Sequence, residues 1–537
     1  MPSTKKLLSI TNLKKYFPVA KSSIFQREQF YVKANEDIPL NIHRGETIGI
    51  VGESGCGKST LGRVLLQLYE QTAGTTMYYG RSLSSLAPAY VMDTLRHADK
   101  YLSRLRHKEA HAAAMTQKCE ELGENASFFD HQRKNLAVAD AQTALSHIAK
   151  LLGGFMVADT KEGSALLYKK AELDAKKLTV ETEIQDFRLE LETLDADIAK
   201  SENEKKLPAL NRKKAKISAM LQKLEAQSAA LDEQTVKAVA EIEALREKHR
   251  GEEEFARYEA MLDDGIDLSR LKYSEMRLLR RDLQIIFQDP YSSLNPRMTI
   301  GQIIEEGLVT HKFFKHGSPK MKEYILNVMR QCGLQDYMLQ FSGGQRQRVS
   351  IARALAVKPQ FVVCDECVSA LDVSIQSQII NLLQELKEKE HLTYMFISHD
   401  LSVVRYISDR ICVMYLGNIV ELADAKTIFE DPRHPYTVAL LSSIPTTDME
   451  SLKKERILLE GNIPSPIRPP EGCKFHTRCY MACDKCKRVP PPLTEVEPGH
   501  FLACHFPERK MDENGNYLFE LPKTEKKSMK IHFEDEE

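Results

Sequence analysis

The stretch Thr47-Ile48-Gly49-Ile50-Val51 runs without a break into Gly52-Glu53-Ser54-Gly55-Cys56-Gly57-Lys58-Ser59-Thr60, and from Ser59 the pattern turns helical. No other feature constrains the fold as tightly, because an apolar strand feeding a glycine loop and then a helix is a unit of α/β architecture. The loop fits G-x-x-x-x-G-K-S/T in the context that pattern needs. Its glycines let backbone amides wrap an anion, and the helix dipole favours negative charge at that end. Phosphate is the natural ligand. Lys58 would reach the β and γ oxygens of a nucleotide, and the Ser59 hydroxyl would ligate Mg2+. Gly52, Glu53, Ser54, Gly55, Cys56, Gly57, Lys58, Ser59 and Thr60 are thus candidate nucleotide contacts, with Cys56 read as a small loop residue rather than a redox switch.

Further along, strands end in chemistry. Phe361-Val362-Val363-Cys364-Asp365-Glu366 is an apolar run closing on two carboxylates, which are costly to bury unless they bind a cation or do chemistry. Asp365 is expected in the Mg2+ shell, and Glu366 as the base or orienter of an attacking water. Gln288 follows the strand Gln284-Ile285-Ile286-Phe287 and can hydrogen-bond both metal and water without carrying charge. His399, in Phe396-Ile397-Ser398-His399-Asp400, follows another strand, where an imidazole could contact a γ-phosphate; alone it would read as structural. A second glycine-rich turn, Phe341-Ser342-Gly343-Gly344-Gln345-Arg346-Gln347-Arg348, opens a helix and offers a second set of bare amides to an anion.

Taken in order, the phosphate loop, Gln288, the Ser342 to Gln345 turn, the Asp365-Glu366 pair, Ser369-Ala370-Leu371-Asp372 and His399 resemble the ABC ATPase family. The resemblance implies an α/β P-loop ATPase domain with a helical subdomain, using ATP and Mg2+. Glu366, His399 and Gln288 would serve hydrolysis; Ser59, Gln288 and Asp365 would serve the metal. It also implies that Ser342, Gly343, Gly344 and Gln345 touch a γ-phosphate held by another subunit, with Asp372 in the adjoining D-loop, so that two chains sandwich two nucleotides. Adenine stacks in this family on an aromatic before the phosphate loop. Tyr16, in Asn12-Leu13-Lys14-Lys15-Tyr16, is the choice, with Phe30 or Tyr31 as runner-up.

Three stretches narrow the resemblance to oligopeptide and dipeptide importer ATPases: Ile285 to Met298, Ser369 to Gln376, and His434-Pro435-Tyr436-Thr437-Val438-Ala439-Leu440-Leu441. Gly52 to Gly62 and Gln345 to Arg348 are similar to the F-type subunit, which pairs with a D-type ATPase. The resemblance covers roughly 7–80 and 265–508. It implies two transmembrane permease subunits, an extracytoplasmic peptide-binding protein engaged indirectly, and a place on the cytoplasmic face of the cell membrane. Two departures stand out: Cys367 where the family usually has Pro after the acidic pair, and Met338-Leu339-Gln340 where it has Pro-His-Glu. Of the 11 cysteines, five crowd the tail. Cys473, Cys479, Cys486 and Cys504 follow the family's C-terminal domain, in some members of which four thiolates hold an iron-sulfur cluster of the 4Fe-4S type. That cluster is favoured over zinc and over free thiols, and Cys483 reads as a spare.

The resemblance stops at residues 83–264, which are rich in Ala, Glu, Lys and Leu and poor in Gly and Pro. Val180, Ile184, Phe187, Leu191, Leu194 and Ile198 alternate steps of four and three, and Ile217, Leu221, Leu224, Leu231, Ala238, Ile242 and Leu245 form a second seam weakened at Ser228 and Thr235. An antiparallel coiled-coil hairpin is expected, with arms of roughly 25 to 35 residues spanning on the order of 40 to 50 Å. It reads either as a tolerated surface excursion or as a segment that docks a partner or restrains the Gln288 loop. His107 and His111, four apart, could share a helix face as metal ligands but read more simply as solvated.

The resulting division is 1–82 and 265–430 for the ATPase, 83–264 for the inserted hairpin, 431–510 for a loop-rich cysteine module and 511–537 for a partly disordered tail. No apolar run reaches about 18 residues, and the start lacks a signal-peptide core. With 75 Lys and Arg against 76 Asp and Glu, no bulk attraction to nucleic acid is expected. That balance, the insertion's place before Gln288 and the importer-like tail argue against the rival reading, a DNA-repair or chromosome-organising ABC ATPase.

Overall fold

The computed structural model describes residues 5–21, 28–200, 207–334, 343–443, 457 and 459–506. Its strands are β1 (Lys6–Pro18), β2 (Tyr31–His43), β3 (Thr47–Val51), β4 (Ala73–Tyr78), β5 (Ile266–Asp267), β6 (Leu283–Ile286), β7 (Phe361–Asp365), β8 (Thr393–Ile397), β9 (Arg410–Tyr415), β10 (Asn418–Asp424), β11 (Thr494–Glu497) and β12 (His500–Leu502). They form an eight-stranded sheet ordered β11-β12-β10-β9-β3-β8-β7-β6 and a four-stranded sheet ordered β2-β1-β4-β5. β9, β3, β8, β7 and β6 pair in parallel. Parallel strands are covered on both faces, which is why β3, β7 and β8 are near-continuous apolar runs, buried at every position.

Strand alternation splits that sheet between two cores. Phe361 and Val363 of β7, with Met395 and Ile397 of β8, face one cluster, which includes Leu61, Val64 and Leu65 of α1 (Lys58–Leu65) and the inward residues of β1 and β2. Val362 and Cys364, with Tyr394 and Phe396, face the other, which holds helix residues between 300 and 386. Cys367, the departure after the acidic pair, is buried in this second cluster and acts as packing.

The insertion leaves and re-enters at one point of a sheet. Met77 of β4 pairs with Asp267 of β5, and Tyr78 with Ile266, so everything between is carried on a two-strand neck. Its helices are α2 (Leu83–Leu86), α3 (Ala89–Arg96), α4 (Ala98–Leu122), α5 (Phe128–Leu152), α6 (Thr160–Lys200), α7 (Leu207–Lys248) and α8 (Glu253–Glu259). α6 and α7 run antiparallel, joined by Lys169–Glu241, Lys177–Asp232, Arg188–Glu225 and Lys213–Glu190 ion pairs. Val180, Ile184 and Leu194 are buried on α6, and Ile217, Leu231, Ala238, Ile242 and Leu245 on α7; Phe187, Leu191 and Ile198 are half-buried. Thr235 on that seam satisfies its hydroxyl on the Leu231 carbonyl at 2.9 Å. The arms are longer than expected, at 41 and 42 residues, or about 60 Å. His107 and His111 are exposed on α4, and among the described residues no three His, Cys, Asp or Glu side chains are grouped to hold a metal ion.

The insertion is more than a surface excursion, because its first helices complete the ATPase core. Leu86 is buried in the cluster beneath β1 and β2, with Leu83 against it. Asp267, fully buried, has His147 of α5 at 3.3 Å, and its amide donates to the Tyr90 hydroxyl at 3.0 Å. Replacing residues 80–264 by a short turn between β4 and β5 therefore costs stability, because it removes Leu86 from the apolar cluster and uncovers Asp267. Denaturant unfolding checks this.

Candidate functional site

The phosphate loop takes its shape from two contacts that exclude side chains. At Gly52 (φ +147°) an added Cβ would lie 2.2 Å from the Met414 carbonyl oxygen, and at Gly57 (φ +101°) 2.1 Å from that of Ala34. Only glycine fits such approaches at such angles. Within the loop Lys58 is buried, and its Nζ donates to the carbonyls of Gly52 at 2.8 Å and Glu53 at 3.1 Å. The ammonium waits curled inside the turn that would receive phosphate. Ser54 and Gly55 form the exposed lip, while Ser59 and Thr60 open α1 half-buried. Burial pushes the Cys56 thiol up, in keeping with a small packing residue and not a reactive thiolate.

α1 points Ser59 at the end of β7. The Ser59 hydroxyl donates to Asp365 Oδ1 at 2.6 Å, and Arg63, one turn on, reaches Oδ2 at 3.3 Å. A hydroxyl and a carboxylate oxygen in contact are a donor set suited to a hard divalent cation. Glu366 follows with φ +50°, its amide donating to the Ile397 carbonyl of β8 at 3.0 Å. Gln288, just beyond β6, donates from Nε2 to Glu366 Oε2 at 2.7 Å, and His399 Nδ1 lies 3.7 Å from the same oxygen. Two residues from two strand ends thus converge on the carboxylate at a third, beside the Ser59–Asp365 pair. Parallel strands end together, so their terminal residues share an edge, which is where open α/β sheets bind ligands.

Tyr16, the expected adenine platform, is buried. Tyr16 is 5% exposed, its hydroxyl donates to Glu36, and the Lys33 ammonium covers its ring. Burial alone would raise the Glu36 carboxyl, but Lys474, Lys33 and Lys14 outweigh it and hold it at about 2, so Tyr16 is anchored on a permanent charge. The runner-up Phe30 is packed between Phe129 of α5, at 5.0 Å between centroids, and the Arg468 guanidinium; Tyr31 is half-buried beside Tyr16. Register shifts in β1 on both sides of Lys15 break the alternation and bury Tyr16. Its neighbour Phe17 is half-buried, edge-on to Tyr69, with the Lys15 ammonium 4.6 Å from its ring centroid.

Ser342 lies outside the described residues, as do Met338, Leu339 and Gln340. Gly343, Gly344 and Gln345 open the helix Gly343–Ala356, where a Cβ at Gly344 would come 2.6 Å from Ile375 Cγ2. Asp372 caps the helix Val373–Glu390, accepting from the Ile375 amide at 3.0 Å.

The described residues do not support the expected iron-sulfur or zinc site. Electrostatic influence passes among Cys473, Cys479, Cys486 and Cys504, but among the described residues no three ligands close on a common point. Cys486 is turned instead toward Cys483, the supposed spare, with their sulfurs 3.7 Å apart. Sequence reasoning also missed Arg63, whose four-residue spacing from Ser59 places both on one helix face, and Arg478, which bonds Glu53 from 425 residues away with no local signal.

The sequence profile of the ABC transporter family matches residues 35–242 and 251–369, more than half of the chain, and that of the oligopeptide/dipeptide transporter C-terminal region matches 420–486. The oligopeptide transport ATP-binding protein AppF of Bacillus subtilis is 50% identical over 250 residues, 46% of this chain and 76% of its own length. A second Bacillus subtilis relative, YkfD, is 49% identical over 247 residues (45% and 75%), and a Brucella ovis relative 51% over 246 (45% and 77%). A dimeric ATP-binding cassette solved with ADP and Pi aligns over 78% of this chain and 99% of its own, at 16% identity and a TM-score of 0.39. No described helix is long and apolar enough to cross a membrane.

Proposed function

This chain belongs to the ABC transporter family, and from that premise we propose that it is the ATP-binding and ATP-hydrolysing subunit of an importer for oligopeptides or dipeptides. The observation that carries the ATPase half is the meeting of Gln288, Glu366 and His399 beside the Ser59–Asp365 pair. The C-terminal match and the AppF relative support the peptide half.

In this reading Lys58 leaves its two loop carbonyls for the β and γ oxygens of ATP. Ser59, Asp365 and Gln288 would hold Mg2+, which when bound neutralises charge on those oxygens. Glu366 orients the attacking water and draws its proton, Gln288 keeps that carboxylate aimed, and His399 contacts the γ-phosphate. Gly343, Gly344 and Gln345, with Ser342, face the nucleotide of a second ATPase chain, a D-type partner, and Asp372 sets the turn beside that interface. Two permease subunits, a peptide-binding protein beyond them and a peripheral place on the cytoplasmic face of the membrane complete the assembly. No cluster is assigned to the cysteines, and the ATPase reading does not depend on one.

Phe17 takes the place proposed for Tyr16 as the adenine platform. Phe17→Ala should weaken ATP binding roughly tenfold, the scale of one base-stacking contact, while Tyr16→Phe costs stability and spares affinity. Titration with a fluorescent ATP analogue separates the two. The import reading is tested by affinity purification from membranes. Two membrane-spanning partners and a second ATPase should come with the chain; recovery without them, bound to duplex DNA in a salt-sensitive manner, would favour the repair class instead.

A further inference from the structure

Arg478 forms a two-pronged ion pair with Glu53 of the phosphate loop: Nη1 donates to Oε2 at 2.8 Å and Nη2 to Oε1 at 3.0 Å. The Arg478 side chain is 7% exposed and that of Glu53 24%, and the guanidinium also lies against the Tyr415 ring at 5.9 Å. A planar fork, sheltered and stacked, differs from the solvent-screened pairs that decorate surfaces. Two more contacts hold the same residue. The Glu53 amide donates to the Tyr436 hydroxyl at 2.9 Å, and its carbonyl accepts from Lys58 Nζ at 3.1 Å. Glu53 is therefore fixed at its amide and its carboxylate from the C-terminal part of the chain, and at its carbonyl by the lysine that awaits phosphate.

Arg478 is anchored in turn. Its amide donates to the Phe475 carbonyl at 3.0 Å, and the Phe475 ring is 1% exposed between Tyr415 and Tyr436, at 5.2 and 5.4 Å between centroids. Phe475 plugs the C-terminal region into the ATPase core, and the guanidinium three residues on reaches the loop.

We propose that Arg478 is a positioning residue for ATP binding: through Glu53 it fixes the phosphate loop. The inference rests on ATP binding at this loop and not on what the transporter carries. Without the fork, the Glu53 carbonyl drifts and the Lys58 ammonium loses one of the two acceptors that place it.

The test is equilibrium binding of a fluorescent ATP analogue to the full chain with Mg2+, alongside KM and kcat. Arg478→Gln should weaken binding roughly tenfold, raising KM with little change in kcat, and Glu53→Gln should do the same. The double variant should be no worse than either single one, since both break one interaction. Arg478→Lys should recover part of the affinity, restoring the charge without the fork. Arg433→Gln breaks the ion pair to Glu497 elsewhere in the C-terminal region and should leave affinity at the wild-type value. Unchanged affinity in Arg478→Gln, additive losses in the double variant, or an equal loss in Arg433→Gln each overturns the proposal. A wild-type chain that binds no analogue would overturn the loop's own role, and the proposal with it.

Discussion

Glu366→Gln should leave ATP binding intact and lower turnover by roughly 10²-fold or more, the range in which a positioned base contributes. The amide keeps the size of the carboxylate and can still meet Gln288 Nε2, now 2.7 Å from Oε2, so the loop conformation at φ +50° has no reason to change. What is lost is the acceptor for the proton of the attacking water and the charge that His399 faces at 3.7 Å. Phosphate release measured beside nucleotide binding separates the two effects. A variant that binds ATP and hydrolyses it at the wild-type rate would remove Glu366 from the mechanism.

Lys58→Ala acts on the step before. The side chain is buried, and its ammonium satisfies the Gly52 and Glu53 carbonyls in the absence of nucleotide. Truncation removes the cation from the phosphate site and leaves two loop carbonyls without their donor. Charge-assisted hydrogen bonds of this kind contribute about 1.5–3 kcal/mol, so affinity for ATP should fall roughly 10- to 100-fold, with turnover falling alongside. Lys58→Arg should not rescue it, since a planar guanidinium does not fit a turn closed by Gly52 and Gly57, whose backbones already approach Met414 and Ala34 within side-chain distance. Equilibrium titration with an ATP analogue provides the measurement.

The meeting of Gln288, Glu366 and His399 was legible in the sequence because each sits at the end of a recognisable strand. Gln288, Glu366 and His399 each follow an apolar run, and parallel pairing of those runs brings the three ends to one edge. The phosphate loop was legible for the same reason, since β3 lies between β8 and β9. The burial of Tyr16 was not, because strand period locates an aromatic only while the register holds, and in β1 it shifts on both sides of Lys15. The insertion's helical character could be read from its composition and seams. Its full arm length and its packing into the ATPase core could not, because Leu86 and His147 carry no mark of what they touch. The Arg478–Glu53 pair joins residues separated by 425 positions, and nothing local to either signals the other.

The central claim is that this chain spends ATP at the Glu366 site to drive peptide uptake. Phosphate release by the complete transporter in proteoliposomes, measured with and without peptide-loaded binding protein, tests it most directly. Peptide should raise the rate with wild-type chain, and Glu366→Gln should abolish that rise. A rate indifferent to peptide, or one that survives Glu366→Gln, would contradict the account.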